Sequence, residues 1–436
     1  MAREMKDSGI EWIGEIPTDW KLSRLKNIKD KCKYAIVDGP FGTAISTDDY
    51  VEEGVPLVRI LNLGNPNISN RNLVYITDEH AEKVQRSRFG IGDVVFAKTG
   101  ATIGKCAIND SIEYGILSSS CVKITISPEY YNKYFYYFFL TKQFNDALRM
   151  ACVGTTRDTI NLTPFACLPC VVPSFDEQHR IADFLDRKCA EIDSVIADTQ
   201  RTIEEYKKLK QALIYKTVSK GVRNDREMIP TEYEWIGEIP SDWKTIKVKW
   251  LLGERKERSE TGEEEPLSMS QKFGLIPTKE MDMIPNMAAT FVGAKLVYVG
   301  DLVFNKLKAH LGVFAVSKYD GLVSPDYAVY YPTGLANVKY LEYLFKTPQY
   351  IAEFRKKSSG VGAGLTRLYT GDLFSIYCAL PPIEEQEEII AYLDQKCSEM
   401  DALIVRKTAL LEELESYKKS VIYEYVTGKK EVPACQ

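Results

Sequence analysis

Glu11-Trp12-Ile13-Gly14-Glu15-Ile16-Pro17-Thr18-Asp19-Trp20 returns further along the chain as Glu234-Trp235-Ile236-Gly237-Glu238-Ile239-Pro240-Ser241-Asp242-Trp243, identical at nine of ten positions. Two more echoes follow in the same order. Gly92-Asp93-Val94-Val95-Phe96-Ala97-Lys98 matches Gly300-Asp301-Leu302-Val303-Phe304-Asn305-Lys306, and Leu185-Asp186-Arg187-Lys188-Cys189 matches Leu393-Asp394-Gln395-Lys396-Cys397. Between the first two echoes the copies differ in length and content. One frame is therefore written twice and carries two different surfaces.

Each copy has the same grammar. A turn-rich opening leads into short β-rich runs such as Val55-Pro56-Leu57-Val58 and Cys121-Val122-Lys123-Ile124. An aromatic segment follows, Tyr134–Phe139 or Tyr340–Phe345, which predicts a core-packing helix. A proline-marked boundary then precedes a long uninterrupted helix. Ser174 followed by Glu177 predicts a capping box, and Gly221 and Gly428 predict the two helix ends.

A heptad seam fits both long helices. In the first it takes Ala182, Cys189, Ile196, Ile203 and Lys210 at one seam position. Leu185, Ile192, Thr199, Tyr206 and Leu213 hold the other. In the second, Ile390, Cys397, Ile404, Leu411 and Lys418 alternate with Leu393, Met400, Lys407, Leu414 and Val421. Each helix spans about 60 Å at the usual helical rise and cannot bury its stripe alone. The end of the first is basic (Lys207, Lys208, Lys210, Lys216, Lys220) and the start of the second acidic (Glu384, Glu385, Glu387, Glu388). That charge pattern favours an antiparallel pair. The expected fold is α/β in the α+β sense: two globular domains separated by two long antiparallel coiled-coil helices, with an internal pseudo-two-fold repeat. The expected divisions are 1–173, 174–221, 222–382, 383–428 and a tail at 429–436.

Composition narrows the function. The 436 residues carry 56 basic and 61 acidic side chains, a net charge of −5. A uniformly basic coat is excluded, though a local basic face is not. The acidity sits in the second long helix, where residues 384–427 hold five basic and eleven acidic side chains. No apolar run is long enough for a membrane span, and the charged opening lacks a signal-peptide core. Ten scattered cysteines fit a reducing cytoplasm.

The catalytic motifs are near misses. Gly100-Ala101-Thr102-Ile103-Gly104-Lys105-Cys106 has three residues between its glycines where a phosphate loop has four, and Cys follows the lysine. Cys167-Leu168-Pro169-Cys170 lacks the second ligand pair of a zinc site and reads as packed thiols. Three histidines, His80, His179 and His310, make a poor metal cluster. No catalytic residue, metal ligand or cofactor site is expected.

Taken together, the motifs resemble one family. Trp-Ile-Gly-Glu-Ile-Pro-x-Asp-Trp at 12–20 and 235–243, Pro381-Pro382-Ile383-Glu384-Glu385-Gln386, Leu-Asp-x-Lys at 185–188 and 393–396, and Val426-Thr427-Gly428-Lys429 are similar to the specificity (S) subunit of type I restriction-modification systems. The likeness runs from about residue 8 to 430. Copy one departs with Ser174-Phe175-Asp176-Glu177-Gln178 and Val218-Ser219-Lys220-Gly221. The resemblance implies a non-catalytic DNA-recognition subunit. Two target-recognition domains, 1–173 and 222–382, would each read half of a bipartite double-stranded DNA site. The spacer helices would set the gap and dock two methyltransferase (modification) subunits. ATP-dependent restriction and translocase subunits would join them.

Specificity should lie where the copies differ, on basic or hydroxyl residues of glycine-bounded loops. In copy one the candidates are Arg59, Lys98, Thr99, Lys105, Ser118, Ser119, Ser120, Thr156 and Arg157. In copy two they are Lys306, Lys308, His310, Ser324, Thr366 and Arg367. Lys98 and Lys306, and Arg157 and Arg367, occupy comparable places. The competing reading is a protein scaffold that binds two identical partners without reading DNA.

Overall fold

The computed structural model describes residues 3–41, 44–154, 158–270, 273–281, 290–360 and 366–433. They form two compact units. One joins Met1–Gln200 to Ala409–Gln436, and the other is Arg201–Thr408.

In the first unit, short β-branched runs form two four-stranded sheets. One is antiparallel, in the order Ile36–Asp38, Cys121–Ile124, Val94–Ala97, Cys106–Ile108. The other runs Val74–Ile76, Val55–Val58, Gly115–Leu117, Arg88–Phe89, with a parallel pair at its centre. The aromatic segment is a helix, Asn132–Phe139, and Tyr134 to Phe139 are all buried, as the sequence predicts. Phe96 meets Phe139 at 5.0 Å and Phe165 edge-on at 5.2 Å, an arrangement aromatic quadrupoles favour.

The second unit repeats one sheet and replaces the other. Leu252–Glu254, Tyr327–Pro332, Leu302–Asn305 and Phe314–Val316 form the antiparallel four. Beside them lie two ladders, Lys295–Val297 with Gly321–Val323 and the hairpin Leu267–Ser270 with Gly274–Pro277. The Gly-Asp echo proves to be a turn. The Asp93 carboxylate accepts from Gly90 N at 2.8 Å, and Asp301 accepts from Tyr298 N at 2.9 Å. Each carboxylate also meets a cation, Lys123 at 2.7 Å and Arg255 at 2.7 Å.

The long helices are α1, Phe175–Lys220, of 46 residues, and α2, Ile383–Val426, of 44. Every heptad-seam residue is buried or half-buried. In α1, Leu185, Ile192 and Ile203 are buried and Ile196 and Leu213 half-buried. In α2, Leu393 and Val421 are buried, while Met400, Ile404, Leu411 and Leu414 are half-buried. Gly221 and Gly428 follow the helix ends with φ of +76° and +71°, the left-handed conformation glycine adopts without strain.

Helix segments pair antiparallel within each unit. In the first, Phe184 packs at a tilt against Tyr425 at 4.4 Å and Lys418 reaches Asp193 at 2.6 Å. In the second, Lys210 reaches Asp401 at 2.7 Å and Arg223 reaches Glu388 at 2.8 Å. The two seam lysines thus hold matching partners in the two copies. The charge argument is corrected in one respect. The acidic start of α2 is met by Arg223 and Arg226, just beyond the α1 end, while Lys207 turns to Glu204 on its own helix.

The capping box is also corrected. Ser174 Oγ accepts from Glu177 N at 3.4 Å, but the Glu177 carboxylate does not complete the box. It takes Trp20 Nε1 at 2.9 Å and Arg3 Nη1 at 2.6 Å, and Arg3 also holds Asp19 at 3.0 Å. The second unit repeats the cluster. Glu385, wholly buried, accepts from Trp243 Nε1 at 3.0 Å and pairs with Arg226, which holds Asp242 at 2.6 Å. The duplicated Asp-Trp pair is therefore a clasp on the first turn of a long helix.

Removing one partner of a buried pair strands the other. Glu385→Ala should cost about 3 kcal/mol, the low end of that effect because Asp242 still faces the guanidinium. In a thermal melt this lowers the transition by several degrees, whereas Lys83→Ala, at an exposed ion pair, should leave the curve in place.

Candidate nucleic-acid interface

Each unit presents a cleft beside the same turn. In the first, the strand Gly115–Leu117 passes through Ser118-Ser119-Ser120 into Cys121–Ile124, and Cys121 N donates to Ser118 O at 2.9 Å. In the second, Gly321–Val323 passes through Ser324-Pro325-Asp326 into Tyr327–Pro332, and Tyr327 N donates to Ser324 O at 2.9 Å. Cys121 pairs with Ala97, and Tyr327 with Asn305, its counterpart in the repeat. The backbone is shared and the side chains are not.

The first cleft, of about 530 Å³, is lined by Pro40, Ile45, Tyr50, Leu57, Arg59, Ile60, Leu61, Thr102, Lys105 and the three serines. The fold thus gathers five of the nine copy-one candidates, Arg59, Lys105, Ser118, Ser119 and Ser120, into one place. Arg59 is held by Asn72 O at 2.7 Å and lies over Tyr50 at 5.7 Å. Its buried Nε has no hydrogen-bond partner among the described residues. Lys105 and Ser119 are exposed. This is a surface with fixed donors over an apolar floor.

Lys98 stands apart from them. It is 5% exposed, and its ammonium donates to Asp38 at 2.5 Å, with Arg86 on the other carboxylate oxygen at 3.3 Å. Its charge is met inside the fold, which corrects its reading as an open surface cation. Thr99 lies half-buried in a backbone bridge to Thr159. Thr156 and Arg157 lie outside the described residues.

The second cleft, also about 530 Å³, has a different lining: Ser268, Thr278, Thr290, Asn305, Ser324 and Asp326 among Pro266, Leu267, Phe291, Val292, Leu307, Leu322, Pro325 and Tyr327. Ser324 is the only copy-two candidate in it. Arg367 touches its rim, donating to Asp326 Oδ1 at 2.9 Å. Thr366 lies 3.4 Å from His310 Nδ1, and Lys308 is exposed on the neighbouring turn. Lys306 is half-buried. Burial first, and then the charges of Lys295 and Arg367, push its amine below the ordinary lysine value. The repeat register is also revised. Ile160 N donates to Lys98 O as Leu368 N does to Lys306 O, both at 3.0 Å, so Arg367 corresponds to Thr159 and not to Arg157.

Sequence reasoning missed Tyr50, Thr102, Asn305 and Asp326. Aligning Gly115-Ile116-Leu117-Ser118 with Gly321-Leu322-Val323-Ser324 would have brought out Asp326. Among the described residues no three His, Cys, Asp or Glu side chains cluster in a way that could hold a metal ion, and no helix is long and apolar enough to cross a membrane.

Residues 17–205 match the Type I restriction modification DNA specificity domain. Over that stretch the chain is similar to the specificity subunits of type I restriction enzymes. Its relatives align over almost its whole length. It is 28% identical to the putative type I restriction enzyme MjaX specificity subunit of Methanocaldococcus jannaschii, covering 96% of this chain and 95% of the other. It is 18% identical to the EcoKI specificity subunit of Escherichia coli, covering 95% and 90%. Solved folds agree. A chain from a study of assembly and conformational transition in a type I R-M system superposes with a TM-score of 0.71 at 15% identity, covering 95% of this chain and 99% of that one. The HsdS subunit of Thermoanaerobacter tengcongensis gives 0.54 at 16%, covering 95% and 98%.

The lowered Lys306 value has a signed consequence. The folded protein binds fewer protons there than the unfolded chain between the lowered value and the ordinary lysine value of 10.5. Stability attributable to this group therefore rises with pH across that window and is lowest below it. In urea titrations between pH 7 and 10.5, Lys306→Met should be more stable than the parent at neutral pH, and the difference should shrink as pH rises.

Proposed function

We propose that this chain is the non-catalytic DNA-reading subunit of a type I complex, with each unit reading one half of a bipartite double-stranded site. The observation that carries the reading is the first cleft, where Arg59, Lys105 and the three serines converge from loops far apart in sequence. Arginine and lysine on such a rim would meet phosphates and guanine edges, and hydroxyls either kind of partner. The second unit offers hydroxyls, an amide and an arginine-held acid beside the same turn. Two linings on one backbone suit two different half-sites.

In this reading α1 and α2 set the gap between the half-sites and dock two methyltransferase (modification) subunits. ATP-dependent restriction and translocase subunits complete the assembly and supply the chemistry. The acidic surface of α2 suits a protein partner better than a phosphate backbone.

Two measurements test this. With modification subunits bound, Arg59→Ala and Lys105→Ala should each weaken duplex binding and lower the slope of log affinity against log salt by about 1. An unchanged slope would remove them from the interface. Inserting one in-register heptad after Gln200 and another after Thr408 adds about 10 Å of helix. Mapped adenine methylation should then show a gap longer by about three base pairs, and an unaltered gap would sink the ruler.

A further inference from the structure

We propose that Asp326 is a specificity-determining residue that accepts a hydrogen bond from an exocyclic amino group, adenine N6 or cytosine N4, in the half-site read by the second unit. The inference rests on the DNA-reading function above and names one side chain that would discriminate.

The argument starts from the shared turn. Ser118-Ser119-Ser120 and Ser324-Pro325-Asp326 link corresponding strands of two sheets with the same backbone hydrogen bond, and each lines its unit's cleft. At the third turn position copy one has a hydroxyl, which both donates and accepts, and copy two a carboxylate, which only accepts. A carboxylate facing a duplex is repelled by phosphates. It is useful where a base presents a donor, and in the major groove only adenine and cytosine present an amino group.

The carboxylate is also positioned. Asp326 has 60% of its side chain exposed, and Arg367 holds one of its oxygens at 2.9 Å. Asp326 lines the cleft, and the Arg367 bond is to Oδ1 and not to Oδ2. Arg367 is itself half-buried, its Nε enclosed, and the next residue is tied by Leu368 N to Lys306 O at 3.0 Å. Proline at 325 fixes the backbone dihedral before the acid and removes a donor that would compete for it. Lys306 and Arg367 offset the acid's charge near the phosphates. Arg367 is in this account a positioning residue.

Asn at the same place keeps an acceptor for Arg367 and adds an amino donor. Asp326→Asn should therefore admit a keto base, thymine or guanine, at one position of one half-site. The test is selection from a randomised duplex library by the full chain bound to its modification subunits, parent against variant. The expected result is about a tenfold loss of discrimination at one base pair, with the other half-site unchanged. Ser120→Asp supplies a second variant on the opposite unit, and should sharpen one position of the other half-site toward adenine or cytosine. An unchanged motif in both variants would overturn the proposal, as would an Asp326→Asn gain in affinity equal for all duplexes, which would make the acid a simple electrostatic brake. A parent complex that selects no motif would overturn the DNA-reading function itself and this inference with it.

Discussion

A carboxylate buried at the start of a long helix must be satisfied or it destabilises the fold. Glu385 is wholly buried and Glu177 largely so, and each unit closes around one of them. The indole of Trp20 or Trp243 and the guanidinium of Arg3 or Arg226 supply the donors. The far end of the other long helix rests on the same clasp. A Cβ on Gly428 would come within 2.4 Å of Pro17 Cγ, and one on Gly221 within 2.4 Å of Glu385 Oε1. Glycine is thus required twice at each position, for its left-handed backbone and for this close approach. The buried hydroxyl of Tyr134 adds a bond to Val426 O at 2.9 Å, and Tyr340 one to Val218 O at 3.2 Å. The decapeptide is repeated so faithfully because helix start, helix end and domain all meet on it.

What was legible in the sequence was what local periodicity encodes. The seam positions of α1 and α2, the two terminal glycines and the aromatic helices all follow from spacing, and the structure buries or turns each of them accordingly. What was not legible depends on partners far away in the chain. Arg3 and Glu177 lie 174 residues apart, and no spacing rule links them, so Glu177 was assigned to its own capping box. Lys98 looked like an open cation on a glycine-bounded loop because Asp38, which neutralises it, lies 60 residues earlier. The cleft was half legible for the same reason. Residue type and loop context found Arg59, Lys105 and the serines, but a carboxylate did not fit the basic-or-hydroxyl criterion, so Asp326, which stands where Ser120 does, was passed over.

The repeat separates what holds the fold from what faces outward. The Gly-Asp turn keeps its aspartate in both copies because that carboxylate caps a tight turn and meets an internal cation. Its cation is free to change, lysine in one and arginine in the other. The clasp tolerates no such exchange, since indole and guanidinium must both reach one carboxylate. Constraint falls as the distance from the helix ends grows.

Lys98 and Lys306 show how far that freedom goes. They share a place in the repeat and a carbonyl bonded to the same returning loop. Lys98 is sealed against Asp38, outside the first cleft, whose basic residues are Arg59 and Lys105. Lys306 lies near Lys295 and Arg367, and their repulsion adds to the effect of burial on its amine. An anion brought to the second unit would relieve that repulsion, whereas one brought to Lys98 would have to displace Asp38. The same lysine is therefore paired directly with a buried acid in one copy and set among both cations and acids in the other. A residue conserved between repeats keeps its role only when the partner that defines the role is repeated with it.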